Sequence, residues 1–250
     1  MLKLFGSRKP RRFEAPIEVA TRAYAVGDIH GRLDLLADLM DEIRADCRRY
    51  DGTPDLIFLG DYIDRGEDSS GVLEFLIEVA EDPDFAPVFL MGNHERMMLD
   101  FLMLPELGSR WLRFGGLQTL MSYGTQTHGS INEPGALEKI QQDLAEALGP
   151  HRAFLESCTP SHINGNVLFV HAAANPNRPA DAQSEEALMW GHPRFFEEIR
   201  QDGVWVVHGH TVVDEPTIEQ GRIAIDTGAY YSNRLTAVRL DGGEAVFLSV

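Results

Sequence analysis

A chain of 250 residues, 44% hydrophobic and 24% charged, has an ordinary soluble globular composition, with room for one large domain or two small ones. A net charge of −17 excludes non-specific nucleic-acid binding, which needs clustered Lys and Arg, but leaves a phosphate substrate open because a few focused cations reverse a local field. No apolar run nears the roughly 18 residues of a membrane span, and MLKLFGSRKPRRF lacks the core and cleavage site of a secretory signal, so a cytoplasmic protein without stable membrane association is expected.

The first twelve residues, with Lys3, Arg8, Lys9, Arg11 and Arg12 and no acid, are expected to form a flexible basic arm; residues 13–250 are expected to be one domain. Thr21 to Val26 predicts a short strand that runs into GDIHG, Gly27 to Gly31. Leu36, Leu39, Met40, Ile43 and Cys47 then recur at helical spacing, with Asp34, Asp38, Asp41 and Glu42 facing out. After Gly52-Thr53-Pro54, Leu56 to Leu59 reads as a buried strand that breaks into GDYIDRG, Gly60 to Gly66. Ser69-Ser70 is placed to cap a second helix whose buried stripe is Val72, Leu73, Leu76, Val79 and Ala80. Pro83 and Pro87 close that connection, and Val88 to Met91 predicts a third strand ending in GNHER. Strand and helix alternating over short links imply a parallel βαβαβ unit.

From His94 to about Cys158 the period turns helical, in HERMMLDFLML, SRWLRFGGLQTLM, ALEKIQQDLAEAL and PHRAFLESC, which predicts a helical insertion (about 95–158) on the side of the sheet. Met97, Met98, Leu102 and Met103 are expected to fill core. His128, His151 and His162 have no partner pattern and are expected at the surface or hydrogen-bonded. Cys47 and Cys158 form no metal or redox spacing and read as small buried apolar residues. The second half is strand-rich: a hairpin over Ser161 to His171 turning at Asn164-Gly165, a loop over Asn175 to Ala182, and a strand Val204 to Val207 ending in HGHT. Arg222 to Ile225, Leu235 to Leu240 and Ala245 to Val250 are expected to complete a second sheet, with DTG at Asp226 to Gly228.

Ligands of α/β folds collect beyond the carboxyl ends of strands, and five of these strands end in polar residues. Asp28 and His30 leave the first strand on one side, because side chains at i and i+2 share a face. Asp61 leaves the second, Asn93 the third, His171 the fourth, and His208 with His210 the fifth. Asp, Asn and His are hard or borderline donors that suit Mn²⁺, Fe or Zn²⁺ rather than a thiolate site. They exceed what one tetrahedral ion takes, so two ions sharing a carboxylate, roughly 3.5–4 Å apart, fit the donor set better.

GDIHG, GDYIDRG, GNHE, the strand-end His171 and the HGHT box together resemble the phosphoprotein phosphatases of bacterial and phage type, within the calcineurin-like metallophosphoesterases. The likeness runs in motif order from about Ala23 to Ala237. It implies an α/β sandwich of two mixed sheets flanked by helices. It also implies that Asp28, His30 and Asp61 hold a first metal, and that Asp61, Asn93, His171 and His210 hold a second. His210 is selected because the family's ligand follows the glycine. A further ligand two residues on, found in some relatives, is absent, since that position is Val212. His208 and Asp226 are then expected behind the ligands.

The resemblance further implies His94 as general acid, Asp64 as the group that orients it, and Arg65 as a bidentate clamp on the phosphoryl group, with Asn93 beside it. The family's second phosphate-binding arginine follows a tryptophan; Trp190-Gly191-His192-Pro193-Arg194 departs from that pattern and makes Arg194 the candidate, with His192 as the substitute. The implied reaction is hydrolysis of a phosphomonoester by a hydroxide shared between two divalent ions, Mn²⁺ foremost, on a phosphorylated protein, peptide or small phosphoester. The intact DYIDRG box and His30 favour phosphoserine or phosphothreonine. Cleavage of diadenosine polyphosphates is the alternative among hydrolases, and a non-catalytic metal-bound scaffold is the alternative outside them.

Overall fold

Strict alternation along short buried strands decides the architecture. In β1 (Ala23–Val26), Ala23 and Ala25 face one core and Tyr24 and Val26 another, all of them fully buried. The same split recurs in β2, where Leu56 and Phe58 share the side of Tyr24 while Ile57 shares that of Ala25. A strand apolar on both faces must be covered on both, and here one face meets helices and the other a second sheet. The computed structural model describes residues 12–125 and 133–250; all of the expected basic arm except Arg12, and also His128, lie outside the described residues.

In chain order, β1 is followed by α1 (Leu33–Cys47), β2 (Asp55–Phe58), α2 (Ser69–Ala80) and β3 (Ala86–Phe89). Then come α3 (Asn93–Met103), α4 (Gly108–Trp111), a turn at Leu112–Gly116 kinked at Gly115, α5 (Leu117–Ser122), α6 (Ala136–Ala147) and α7 (Pro150–Ser157). The second half contains β4 (Ser161–Asn164), β5 (Val167–Val170), α8 (Glu185–Trp190), β6 (Trp205–His208), β7 (Thr217–Glu219) and β8 (Arg222–Ala224). It ends with α9 (Ala229–Ser232), β9 (Thr236–Asp241) and β10 (Glu244–Ser249). The sheets are each five-stranded, ordered β10-β9-β1-β2-β3 and β4-β5-β6-β8-β7. β1, β2 and β3 run parallel, as do β5, β6 and β8. Between the sheets lie Ala25, Ile57, Leu59, Val167, Phe169, Val207, Ile223, Val238 and Leu240. This is the expected sandwich of two mixed sheets flanked by helices.

Several local expectations change. β9 and β10 do not complete the second sheet: β9 pairs antiparallel with β1, and β10 with β9, so the C-terminal hairpin extends the first. The link from β8 to β9 is long enough to serve either sheet, and pairing is settled only by which inner face needs Val238 and Leu240. Pro87 falls inside β3 rather than before it, which an edge strand tolerates because one row of its N–H groups needs no partner. The cap of α2 is Asp68, whose carboxylate accepts the Gly71 N–H at 2.8 Å, while Ser69 is buried one position later. Met97, Met98 and Leu102 are core, but Met103 is 67% exposed because α3 ends there. Cys47 and Cys158 are free and only half-buried against the core. His151 is buried between Tyr123 and Glu74, and His162 meets Asp55. Among the described residues no helix is long and apolar enough to cross a membrane.

Candidate metal centre

The parallel strands deliver the polar residues to one rim. Asp28 and His30 follow β1, Asp61 follows β2, Asn93 opens α3 after β3, His171 follows β5, and His208 and His210 end and follow β6. The turns that present them are tight. Of seven described non-glycine residues with positive φ, five are His30, Asp61, Asp64, Arg65 and His210. Such conformations are costly and persist where surrounding structure enforces them. Gly60 makes the closest approach possible: a Cβ there would stand 2.6 Å from the Gly92 nitrogen.

Asp61 joins two donor groups. His30, Asp61 and His94 form one, and Asp61, His171 and His210 the other, with ligand atoms in each within 4.8 Å of one another. Its Oδ2 lies 3.5 Å from His30 Nε2, and its Oδ1 lies 3.4 Å from His171 Nε2. Asn93 Oδ1 stands 2.9 Å from that same His171 nitrogen. Asp28 is buried at the rim but is turned onto the His210 backbone N–H, accepted at 3.1 and 3.2 Å, and faces Asp226.

The donor chemistry fits cations. His30 Nδ1 donates to the Ile63 carbonyl at 2.8 Å and His171 Nδ1 to the Leu59 carbonyl at 3.0 Å, which leaves each Nε2 as a lone pair aimed at Asp61. Burial holds both rings neutral, lowering His30 to about 3 and His171 to about 4. A lone pair facing a carboxylate oxygen is repulsive unless a cation lies between them. The carboxyls agree. Burial, and then the charges of Asp226 and Asp61, push Asp28 well up; burial raises Asp226 to about 6. Asp61 alone is lowered: burial opposes its ionisation, and positive charge at the surrounding His171, His94 and His30 would outweigh it, a charge that neutral rings leave to a cation between them.

Beside the donors sits a second constellation. His94 Nδ1 lies 2.6 Å from Asp64 Oδ2, and its Nε2 lies 3.2 Å from an Arg65 guanidinium nitrogen. Burial works against the His94 imidazolium, but Asp61 and Asp64 together raise its pKa. The Arg65 guanidinium lies 4.8 Å over the Tyr230 ring, which also meets His30 edge-on. Of these groups, Arg65 and Tyr230 line a cleft of about 740 Å³ together with Gly31, Arg32 and Gly66.

Two further residues lie outside the donor groups. His208, expected behind the ligands, is buried with its ring edge-on to Phe195 and Phe196, on the strand face of Val206 that turns toward the outer core. The Arg194 side chain is 60% exposed, pairs with Glu198 four residues along at 3.6 Å, and is not among the residues lining the cleft beside Arg65. Four residues carried no expectation: Glu95, Trp111, Thr119 and Tyr230. Glu95 had a readable signal, since its spacing from Gly92 is that of a capping box. Its carboxylate accepts the N–H groups of Asp61, Tyr62, Ile63 and Gly92 at 2.8, 2.8, 3.2 and 3.1 Å. Trp111 and Thr119 reach Asp64 from the helical segment, and no local pattern announces that.

Comparison with known proteins bears on this arrangement. Over 248 residues the chain is 26% identical to the Oceanobacillus iheyensis bis(5'-nucleosyl)-tetraphosphatase PrpE, covering 90% of each. Over 226 residues it is 25% identical to serine/threonine-protein phosphatase 2 of Salmonella typhimurium, covering 87% of this chain and 92% of that one. The crystal structure of a cold-active protein-tyrosine phosphatase from a psychrophilic Shewanella shares the fold, with a TM-score of 0.56 at 19% identity over 91% of this chain and 80% of that one. The family of calcineurin-like phosphoesterases matches residues 21–214, from the strand before the first donor pair to just past His210. Matched over most of its length and carrying paired donor groups on a sandwich rim, this chain belongs to the calcineurin-like phosphoesterases.

Proposed function

We propose that the chain is a metal-dependent phosphomonoesterase acting on phosphoserine or phosphothreonine in proteins or peptides. The observation that carries the reading is His94, at the edge of the first donor group and held at 2.6 Å by Asp64 and at 3.2 Å by Arg65. Asp28, His30 and Asp61 would hold one ion, and Asp61, Asn93, His171 and His210 the other. Bound divalent ions supply a nucleophile from water near neutral pH and offset phosphoryl charge.

The chain's own residues do the rest. Arg65 grips two phosphoryl oxygens with its planar fork. In the free protein that guanidinium lies against His94 Nε2, so engaging substrate frees this nitrogen to carry the proton. His94 then protonates the leaving oxygen, and Asp64 keeps the ring oriented and stabilises its charged form. Oxygen and nitrogen donors without sulfur favour Mn²⁺, with Fe and Zn²⁺ as candidates.

A second reading, cleavage of dinucleoside polyphosphates, is favoured by the likeness to the Oceanobacillus tetraphosphatase. The deciding experiment strips metal with a chelator, restores Mn²⁺, Fe²⁺ or Zn²⁺ singly, and compares phosphopeptides with diadenosine tetraphosphate. Metal-restored turnover of phosphopeptides at higher kcat/KM supports the first reading. The reverse preference supports the second, and no metal-dependent turnover of either, or of a generic aryl phosphate, supports the scaffold reading.

A further inference from the structure

We propose that Trp111 and Thr119 are positioning residues of the reaction, setting the His94–Asp64 pair from within the helical segment Gly108–Ser122. The proposal rests on the reading of His94 as general acid. Asp64 Oδ2 meets His94 Nδ1 at 2.6 Å, and both Asp64 oxygens are then spoken for by that segment. Trp111 Nε1–H donates to Oδ2 at 2.9 Å and to Oδ1 at 3.1 Å, and the Thr119 hydroxyl donates to Oδ1 at 2.6 Å. Trp111, Thr119 and Asp64 are fully buried, and His94 nearly so.

The geometry does more than satisfy a buried charge. A hydroxyl has one proton, and Thr119 spends it on the Asp64 carboxylate while its oxygen accepts the N–H of Asp64 itself at 2.9 Å. One side chain therefore clamps both the backbone of Asp64, which is at a φ of 72°, and the rotation of its carboxylate. Trp111 sets the second angle, with its indole stacked on Phe101 at 5.3 Å. The turn Leu112–Gly116 between the two residues, kinked at Gly115 with a φ of 117°, brings both onto one carboxylate. Its Gly115 carbonyl accepts the Arg65 N–H at 3.3 Å, so the segment also steadies the residue next to Asp64. Gly116 is the seat of the indole: a Cβ there would stand 2.6 Å from the ring of Trp111. The carboxylate plane aimed at His94 is thus chosen by residues of the insertion, and the His94 ring follows.

An acid matters in proportion to the basicity of the oxygen it protonates, which separates positioning from mere stability. The test uses the full metal-loaded chain and its Thr119→Val, Thr119→Ser, Trp111→Phe and Gly116→Ala variants on phenyl phosphate and 2,4-dinitrophenyl phosphate. Thr119→Val and Trp111→Phe should lower kcat on phenyl phosphate about 10- to 100-fold, the usual cost of losing an orienting partner. KM and metal content should hold, and the dinitrophenyl ester should be hydrolysed nearly as before. Thr119→Ser should restore the rate, whereas Gly116→Ala should reproduce the loss with the indole still present. His94→Asn is the control for the acid role, expected to show the same leaving-group dependence more strongly. A second readout needs no turnover: in the metal-free protein the hydrogen-bonded Nδ1 proton of His94 should give a protected downfield NMR signal in wild type and Thr119→Ser, and lose protection in Thr119→Val. If His94→Asn discriminates between the esters while Thr119→Val and Trp111→Phe do not, or if the proton signal survives in Thr119→Val, the proposal is overturned. If His94→Asn itself fails to discriminate, the acid role is what falls.

Discussion

The Glu95 carboxylate accepts the backbone N–H of Asp61 at 2.8 Å, so the carboxylate that joins both donor groups is held from behind by another carboxylate that touches neither. Four amide N–H groups converge on Glu95, drawn from the turn after β2 and from Gly92. Replacing Glu95 by Gln turns an NH₂ toward amides that need an acceptor. Leaving buried donors unsatisfied costs about 1–3 kcal/mol. Thermal unfolding of Glu95→Gln should show a drop of roughly 2–4 °C per kcal/mol for a chain of this size. An unchanged Tm would mean the turn stands without its buried anchor.

Asp61→Asn should empty both metal positions rather than one, because each of its oxygens faces a different histidine, at 3.4 and 3.5 Å. Metal analysis after gel filtration, set against His30→Ala and His171→Ala, checks this. Retention of one ion per chain in Asp61→Asn would refute the shared role.

His94→Asn should keep its metal and lose about 10²–10⁴ in kcat, the range for a positioned acid. Its Nε2 is 3.8 Å from Asp61 and so lies within reach of the first group, but a guanidinium at 3.2 Å makes that a poor place for a cation ligand. Loss of an ion from this variant would recast His94 as a ligand.

Arg65→Lys keeps the charge and removes both the planar fork and the stack on Tyr230, 4.8 Å beneath the guanidinium. Steady-state kinetics should show a rise in KM together with a fall in kcat. Tyr230→Ala should act in the same direction but more weakly, since the fork remains. A Tyr230→Ala enzyme with wild-type parameters would assign the ring to packing alone.

Asp46 is predicted to be the most sensitive ionic position away from the rim. It is buried and accepts from Tyr24 Oη at 2.8 Å and from Arg239 at 2.8 and 3.0 Å, tying α1 to β1 and β9. Removing one partner of a buried pair typically costs about 3–5 kcal/mol. Urea unfolding of Asp46→Ala should register a loss of that order.

Much of this was legible in order along the chain. β1, β2, β5 and β6 announced themselves as apolar runs, and each motif follows a strand, because strand burial and turn chemistry are local properties of neighbouring residues. Asp28, His30, Asp61, Asn93, His171 and His210 are legible for the same reason as strand-end oxygen and nitrogen side chains, and four of them, His30, Asp61, His171 and His210, gather in the two donor groups. What a local pattern does not carry is pairing across the chain. β9 reads locally as a strand of either sheet, because its alternation suits either inner face, and pairs with β1. The packing of the His208 ring against Phe195 and Phe196 is likewise not written in its neighbours. Thr119 and Trp111 reach Asp64 from 55 and 47 positions away, a convergence produced by the kink at Gly115 and the packing of α3 against α4. Residue type and spacing determined the kind of chemistry, since donor hardness and strand ends are written in the sequence. Only the tertiary structure decided which side chains share one carboxylate, because that depends on how far separated segments pack.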